Sequence, residues 1–325
     1  MALNIKEDCY ELLGMDYVEF TFPAGTHIDT QYLPLERTSL HIWPCENHFL
    51  MAVPDLEGTF TGTLYLPSST SAPNSTFVDL HKDYRLFVSF LKTHYKEAMR
   101  YADTNAIHQL YQRMVKPEHL GTVRSPCYYY KSCLLLLGDA AFGMVPFFGQ
   151  GMNLGFESVS TLLSIIRQEM RVKDNGKKIR VSEQQILWGK VFAIMQRDFA
   201  KSATAMQDMA IENYIEMSQA TRDSVYPWIK MIECAIELRY PQLYRSRYTL
   251  VTQTLLPLNL VKELGLLAKS EIEKLARART LDGYPHFAPD SIRFSSFEEQ
   301  VIDTMIQSWQ SLLERSGKTR ADLGF

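Results

Sequence analysis

Leu134-Leu-Leu-Leu-Gly138-Asp139-Ala-Ala-Phe142-Gly-Met-Val-Pro146-Phe147-Phe148-Gly149-Gln150-Gly151-Met152-Asn153-Leu-Gly155-Phe156-Glu157 is the stretch on which the reading of this chain turns. The unbroken apolar run Leu134 to Leu137 predicts a strand covered on both faces. Gly138 lets the backbone pass close to another group, and Asp139 puts a carboxylate at the strand's C-terminal edge, where open α/β sheets place their ligands. Pro146, Gly149 and Gly151 predict an irregular loop. Apolar residues then recur at Phe156, Val159, Leu162, Leu163 and Ile166, the spacing of one helix face. A helix opening near Met152 would aim free N–H groups and a positive dipole end at whatever sits beside Asp139.

Upstream of this stretch the period changes to two. Tyr17-Val-Glu-Phe-Thr-Phe22 alternates and stops at Pro23, which predicts a strand. Ser39 to Trp43, Phe49 to Val53 and Thr59 to Leu66 predict three more, and together they predict an antiparallel sheet of hairpins. The first fifteen residues read as a frayed terminus or one short helix. Pro67 to Thr76 is a polar loop, and Asp79 to about Arg100 reads as helix. Tyr128 to Leu137 then brings the chain back into the sheet.

Downstream, Arg171 to Arg180 reads as a solvated connection with a turn at Asp174-Asn175-Gly176. Ser182-x-x-Gln185 is a capping-box pattern. From there the text is helical to about Leu238, with breaks near Pro227 and Pro241. Further helices are predicted from Pro257 through Lys274 and from Phe297 to Leu313, the last with Val301, Met305, Trp309 and Leu312 on one face. The expected fold class is therefore mixed α/β, an antiparallel sheet followed by a helical C-terminal half. The divisions are 1–126 for sheet and helix, 127–170 for the strand-loop-helix stretch, and 171–325 for the helical region.

Composition narrows the function classes. The 325 residues can bury a sizeable core. A net charge of -3 leaves no nucleic-acid footprint. The five cysteines are odd in number and form no C-x-x-C pair, so a disulfide framework or zinc site is not expected and a reducing, intracellular compartment fits. The eight histidines show no H-E-x-x-H spacing, so no metal site is expected. No run approaches the roughly 18 apolar residues of a membrane-spanning helix.

The residues also carry a resemblance. Gly138-Asp-Ala-Ala141 followed by Pro146-Phe-Phe-Gly-Gln-Gly-Met-Asn153 resembles the second flavin-binding motif of the FAD-dependent aromatic hydroxylases. The version with Pro-Phe-Phe and Gly155-Phe-Glu157 is most similar to the kynurenine 3-monooxygenase family. Leu40 to Pro44, Met51 to Pro54 and Phe60 to Leu64 resemble that family's substrate-domain sheet, one face of which roofs the substrate cavity.

The resemblance implies an oxidoreductase of tryptophan catabolism that hydroxylates L-kynurenine to 3-hydroxykynurenine, with FAD as cofactor and NADPH as co-substrate. It implies cofactor binding by Gly138, Asp139, Pro146, Gly149, Gln150, Gly151, Met152 and Asn153. Asp139 would hold a ribityl hydroxyl, and the Met152-Asn153 backbone would face the flavin pyrimidine carbonyl, where the helix dipole favours an anionic reduced flavin. It implies substrate contacts from Phe147, Phe148, Asn213 and Tyr248. On its chemistry alone Tyr248 could equally be packing. It further implies a mitochondrial outer-membrane location, the alternative being cytoplasmic. One departure is local: Phe142 stands where family members commonly have His, which puts small polar contacts near the flavin in question.

The family's G-x-G-x-x-G cradle for the FAD pyrophosphate, its substrate-binding Arg and Tyr, and its Asp-Gly motif do not occur in these residues. Gly149-x-Gly151-x-x-x-Gly155 has no βαβ unit around it and does not replace the cradle. Residues 138–153 can touch only the ribityl and isoalloxazine end, so FAD affinity is expected to fall by several powers of ten, each about 1.4 kcal/mol. Two functions stay open on this reading. One is a kynurenine 3-hydroxylase whose N-terminal part is absent from these residues, through a truncated gene model or a separately encoded half, with this chain alone expected to be inactive. The other is a non-catalytic relative that binds a partner or an aromatic ligand.

Overall fold

The computed structural model describes residues 9–23, 35–69, 75–173, 181–218, 223–279 and 288–323. The chain divides into two compact units. One consists of Tyr10–Thr122 with Tyr214–Ala220, the other of Met1–Cys9, Val123–Asn213 and Thr221–Phe325.

The first unit is built on strands β1 (Tyr10–Phe22), β2 (His41–Pro44), β3 (Phe49–Pro54), β4 (Phe60–Pro67) and β5 (Glu118–Val123), in the order β2-β3-β4-β1-β5. β2, β3 and β4 pair as antiparallel neighbours, and β4 pairs antiparallel with β1 through Val18↔Leu64 and Phe20↔Gly62. The alternation in β1 has the expected consequence: Val18, Phe20 and Phe22 are buried while Glu19 and Thr21 are exposed. Helices α1 (Phe77–Leu80), α2 (Tyr84–His94) and α3 (Thr104–Arg113) add Phe77, Phe87, Leu91 and Leu110 to that core. Asp83 caps α2 by accepting the Arg85 N–H at 2.8 Å. Three expectations change here. β1 begins at Tyr10, so residues 10–15 are strand rather than frayed or helical. The segment expected as one helix from Asp79 to Arg100 is broken at His81–Asp83 and after His94. β5 carried no strong alternation and was not anticipated.

The second unit holds β6 (Tyr129–Tyr130), β7 (Leu134–Leu135) and helices α4 (Asp139–Phe142), α5 (Gly151–Lys173), α6 (Val181–Ser218), α7 (Tyr226–Arg239), α8 (Arg247–Gln253), α9 (Leu258–Arg279) and α10 (Ser296–Arg315). The last residues of α6, from Tyr214, group with the sheet unit. α7, α9 and α10 pack around Trp228, Ile232, Leu264, Ile272, Ile302 and Trp309. Ser295 and Glu298 close a capping box at the start of α10. α6 begins at Val181, one residue ahead of the Ser182 of the expected capping box. The expected turn at Asp174-Asn175-Gly176 lies outside the described residues.

The Leu134–Leu137 run is the main correction. It is not a buried strand of a larger sheet. β7 has two residues, pairs only with β6 in a hairpin, and leaves Leu134 43% exposed. A strand covered on both faces needs sheet neighbours and flanking layers. Among the described residues its one neighbour is β6.

Candidate functional site

Gly138 follows the hairpin at φ 56°, ψ −144°, a conformation that residues with a side chain rarely hold. It turns the chain into α4, a single helical turn closed by the Gly143 N–H on the Asp139 carbonyl at 3.0 Å. Asp139 is exposed at the start of that turn. Phe142, at its end, is buried against Tyr128 and Phe199, with ring centroids 5.7 and 5.3 Å away. The residue that replaces the family's usual His therefore faces the hydrophobic interior.

Pro146 to Phe148 form one tight turn, ended by Gly149 in the left-handed conformation at φ 66°. α5 opens two residues later. Leu154 is the first residue whose N–H reaches back, to Gln150 at 2.9 Å, so the N–H groups of Gly151, Met152 and Asn153 have no intrahelical acceptor. These elements border an open groove of about 750 Å³ lined by Leu137, Gly138, Asp139, Met144, Pro146, Gly149, Gly151, Met152, Gly155, Phe156 and Val159. A Cβ added at Gly138, Gly149, Gly151 or Gly155 would meet no atom within 4 Å, so the small residues face open space rather than neighbouring side chains. The groove offers an exposed carboxylate, helix N–H donors and an apolar floor.

The other expected residues lie on the opposite side of the 146–149 turn. Phe147 and Phe148 are buried, 7% and 8% exposed, and do not line the groove. Asn213, half-buried on α6, donates its side-chain N–H to the Phe147 carbonyl at 2.6 Å. Tyr248, on α8, stacks on Phe148 with centroids 5.9 Å apart and planes inclined by 25°, yet stays 62% exposed. Gln150 and Asn153 bond to each other through their side chains at 3.0 Å. Eight of the twelve expected residues thus border the groove or the first turn of α5. The remaining four, Phe147, Phe148, Asn213 and Tyr248, hold the turn from behind.

Sequence reading missed what fixes this arrangement. The side chain of Gln207, 2% exposed on α6, donates to the carbonyls of Val123 and Gly143 at 2.6 and 3.0 Å, tying the end of β5 and the residue after α4 to one helix. Next to it, Asp208 takes Arg124 at 2.7 Å and Lys262 at 2.6 Å. Burial pushes the Asp208 carboxyl upward, but the hydrogen bonds from Lys262 and Arg124 outweigh it and hold the group below the usual carboxylate range. Arg247 pairs with Glu212, and these two residues directly precede Tyr248 and Asn213. Gly265 on α9 lets Arg247 lie close, since a Cβ there would sit 2.7 Å from the Arg247 side chain. No local pattern signals the hydrogen-bonded pairs, because their members are 35 to 84 residues apart.

No family model matches the chain. Its curated relatives include proteins named as monooxygenases. They include the kynurenine 3-monooxygenase of Myxococcus xanthus, 33% identical over 266 residues, which cover 82% of this chain and 52% of that protein. The kynurenine 3-monooxygenase of Dictyostelium discoideum is 27% identical over 277 residues, 85% of this chain and 57% of that protein. The chain is thus related to the kynurenine 3-monooxygenases, and it spans about half the length of the curated relatives it matches. Among solved structures, 2,6-dihydroxypyridine-3-hydroxylase from Arthrobacter nicotinovorans is similar over 65% of this chain and 53% of its own, at 11% identity and a TM-score of 0.44, too low to carry an argument. Among the described residues no helix is long and apolar enough to cross a membrane.

Proposed function

We propose that residues 138–153 are the flavin-ring half of a kynurenine 3-hydroxylase site, which uses FAD and NADPH to hydroxylate L-kynurenine. The observation that carries this reading is the groove itself. An exposed carboxylate, side-chain-free glycines and the open N-terminus of a 23-residue helix converge where the sequence resembles a flavin motif. When bound, FAD supplies the activation of molecular oxygen that the protein's own side chains lack. Asp139 accepts a hydrogen bond from a ribityl hydroxyl. The N–H groups of Gly151 to Asn153 and the dipole of α5 stabilise negative charge on the pyrimidine end of the ring. Pro146, with Phe147 and Phe148 packed behind it, sets the wall beside the ring. Asn213 acts on that wall through the Phe147 carbonyl, and Tyr248 offers its exposed ring to an aromatic amino acid.

The pyrophosphate cradle is not among these residues, so a polypeptide segment carrying it, on the same chain or a separate one, completes the site. The α5 surface supports this. Met152, Phe156, Val159 and Leu163 form an apolar row at helical spacing and are 72, 67, 44 and 46% exposed. The same row is what favours the second reading, a non-catalytic module that binds a partner there.

Two measurements separate them. The chain purified alone is expected to retain less than stoichiometric FAD and to oxidise little NADPH with kynurenine. Riboflavin, which carries only the ribityl and ring portions, is expected to bind weakly, with Asp139→Ala reducing that binding. Riboflavin binding that is unaffected by Asp139→Ala would overturn the flavin assignment in favour of the binding module. Purification with one flavin per chain would overturn the need for a further cradle.

A further inference from the structure

The sheet unit contains a side-chain cluster that plays no part in the flavin reading. β2 and β3 end at the Pro44↔Phe49 pair, and the four residues between them are closed by the Cys45 N–H on the His48 carbonyl at 2.8 Å. Cys45 and His48 thus flank one tight turn. His94 is the last residue of α2, and the Cys45 thiol donates to its carbonyl at 3.4 Å. The His48 and His94 rings meet edge to face with centroids 5.0 Å apart. The Cys45 Sγ and one ring nitrogen from each histidine all lie within 4.8 Å of one another.

We propose that Cys45, His48 and His94 bind one divalent ion of the zinc class and staple the β2–β3 turn to the end of α2. The donor set argues for this ion. One thiolate and two imidazoles suit zinc, whereas calcium and magnesium take oxygen ligands. Metal–ligand bonds of about 2.0–2.3 Å place tetrahedral donors roughly 3.3–3.8 Å apart. The cluster therefore closes by up to about 1.5 Å, a movement open to the exposed His94 ring. Three protein ligands leave the fourth position to water.

The surroundings already orient the ligands. Tyr95, 1% exposed, pairs its hydroxyl with both His48 Nδ1 and the Cys45 thiol. A hydroxyl can accept the His48 Nδ1–H and donate to a Cys45 thiolate at once. That arrangement leaves His48 Nε2 as the metal donor, with an outer hydrogen bond of the kind metal-bound histidines make. Loss of the thiol proton on binding makes the site weaker at low pH. Since the staple joins a hairpin turn to a helix end, its effect is on stability rather than on a reaction.

The test uses the full chain stripped with a chelator and titrated with Co²⁺, then with Zn²⁺ in competition. The expected result is one equivalent of Co²⁺, a thiolate-to-cobalt charge-transfer band, the visible bands of a four-coordinate ion, displacement by Zn²⁺, and a higher Tm with Zn²⁺. Cys45→Ser is expected to remove the charge-transfer band, and His94→Ala to weaken Zn²⁺ binding at least tenfold. Absence of the band in the unmodified protein overturns the proposal. So does a band or affinity that survives both substitutions, which would assign binding to other thiols such as Cys127 or Cys133. If Cys45→Ser fails to fold, His94→Ala, at an exposed position, decides alone.

Discussion

The turn at Pro146–Gly149 has two sides, and they are built differently. Behind it three polar side chains are answered from within the chain: Asn213 by the Phe147 carbonyl, Gln207 by Val123 and Gly143, Asp208 by Arg124 and Lys262. On the groove side Asp139 is exposed, the first N–H groups of α5 lack intrahelical acceptors, and Met152 and Phe156 lie open. The difference teaches that the rear side is held by contacts within the chain, Tyr248 excepted, whereas the groove side keeps its polar and apolar groups open. Residues resembling a binding motif occur on both sides, so resemblance alone does not separate them.

Substitutions on the rear face are expected to cost the most stability. Gln207→Leu removes the side-chain donor of the Val123 carbonyl and leaves the Gly143 carbonyl with the Val123 N–H alone, and should destabilise the chain by about 1–3 kcal/mol. Urea unfolding checks this, and a change under about 0.5 kcal/mol would break the contrast. Asn213→Ala removes the side-chain hydrogen bond to the Phe147 carbonyl at a less buried position and should cost about 1–2 kcal/mol. Hydrogen exchange of the Phe147–Gly149 amides should accelerate with it.

Asp208 sharpens the same contrast through pH. Its folded pKa lies below its unfolded value, so the unfolded state binds more protons over the interval between them, and stability rises with pH there. The contribution is complete above the unfolded pKa of about 3.9. It is lost as pH falls through the lower, folded value. Asp208→Asn should flatten the stability profile below about pH 4, measured by chemical unfolding at a series of pH values. An unchanged acid limb would show that the Arg124–Asp208–Lys262 group contributes nothing to folding.

The front face should respond least in stability and most in binding. Asp139→Asn and Phe156→Ser, both at exposed positions, should each stay within about 0.5 kcal/mol of the unmodified chain. A large loss of stability in either variant would mean that the front face is packed like the rear one.

Much of the fold was legible in local patterns. Period-two alternation at 17–22 and the apolar runs at 49–53 and 59–66 became β1, β3 and β4, with one face of β1 buried and β4 buried on both. The helix opening at Gly151, the break at Pro241 and the helix after Pro257 follow from backbone chemistry that acts within a few residues. Leu134 to Leu137 was misread because an apolar run records only a demand for burial. Whether that demand is met depends on sheet neighbours, and here β6 alone stands beside it.

The sequence by itself determined which residues could form a flavin-type turn: the glycines that permit φ 56° and 66°, the proline that shapes the loop, and the carboxylate beside them. Only the tertiary structure decided which side of that turn each residue serves. Asn213 and Tyr248 lie 66 and 100 residues from Phe147 and Phe148. Their placement depends on Gln207, Glu212, Arg247 and Gly265, contacts made by chain segments remote from one another. Side-chain pairing across such distances leaves no periodic trace, because it is set by how helices pack and not by the spacing within any one of them.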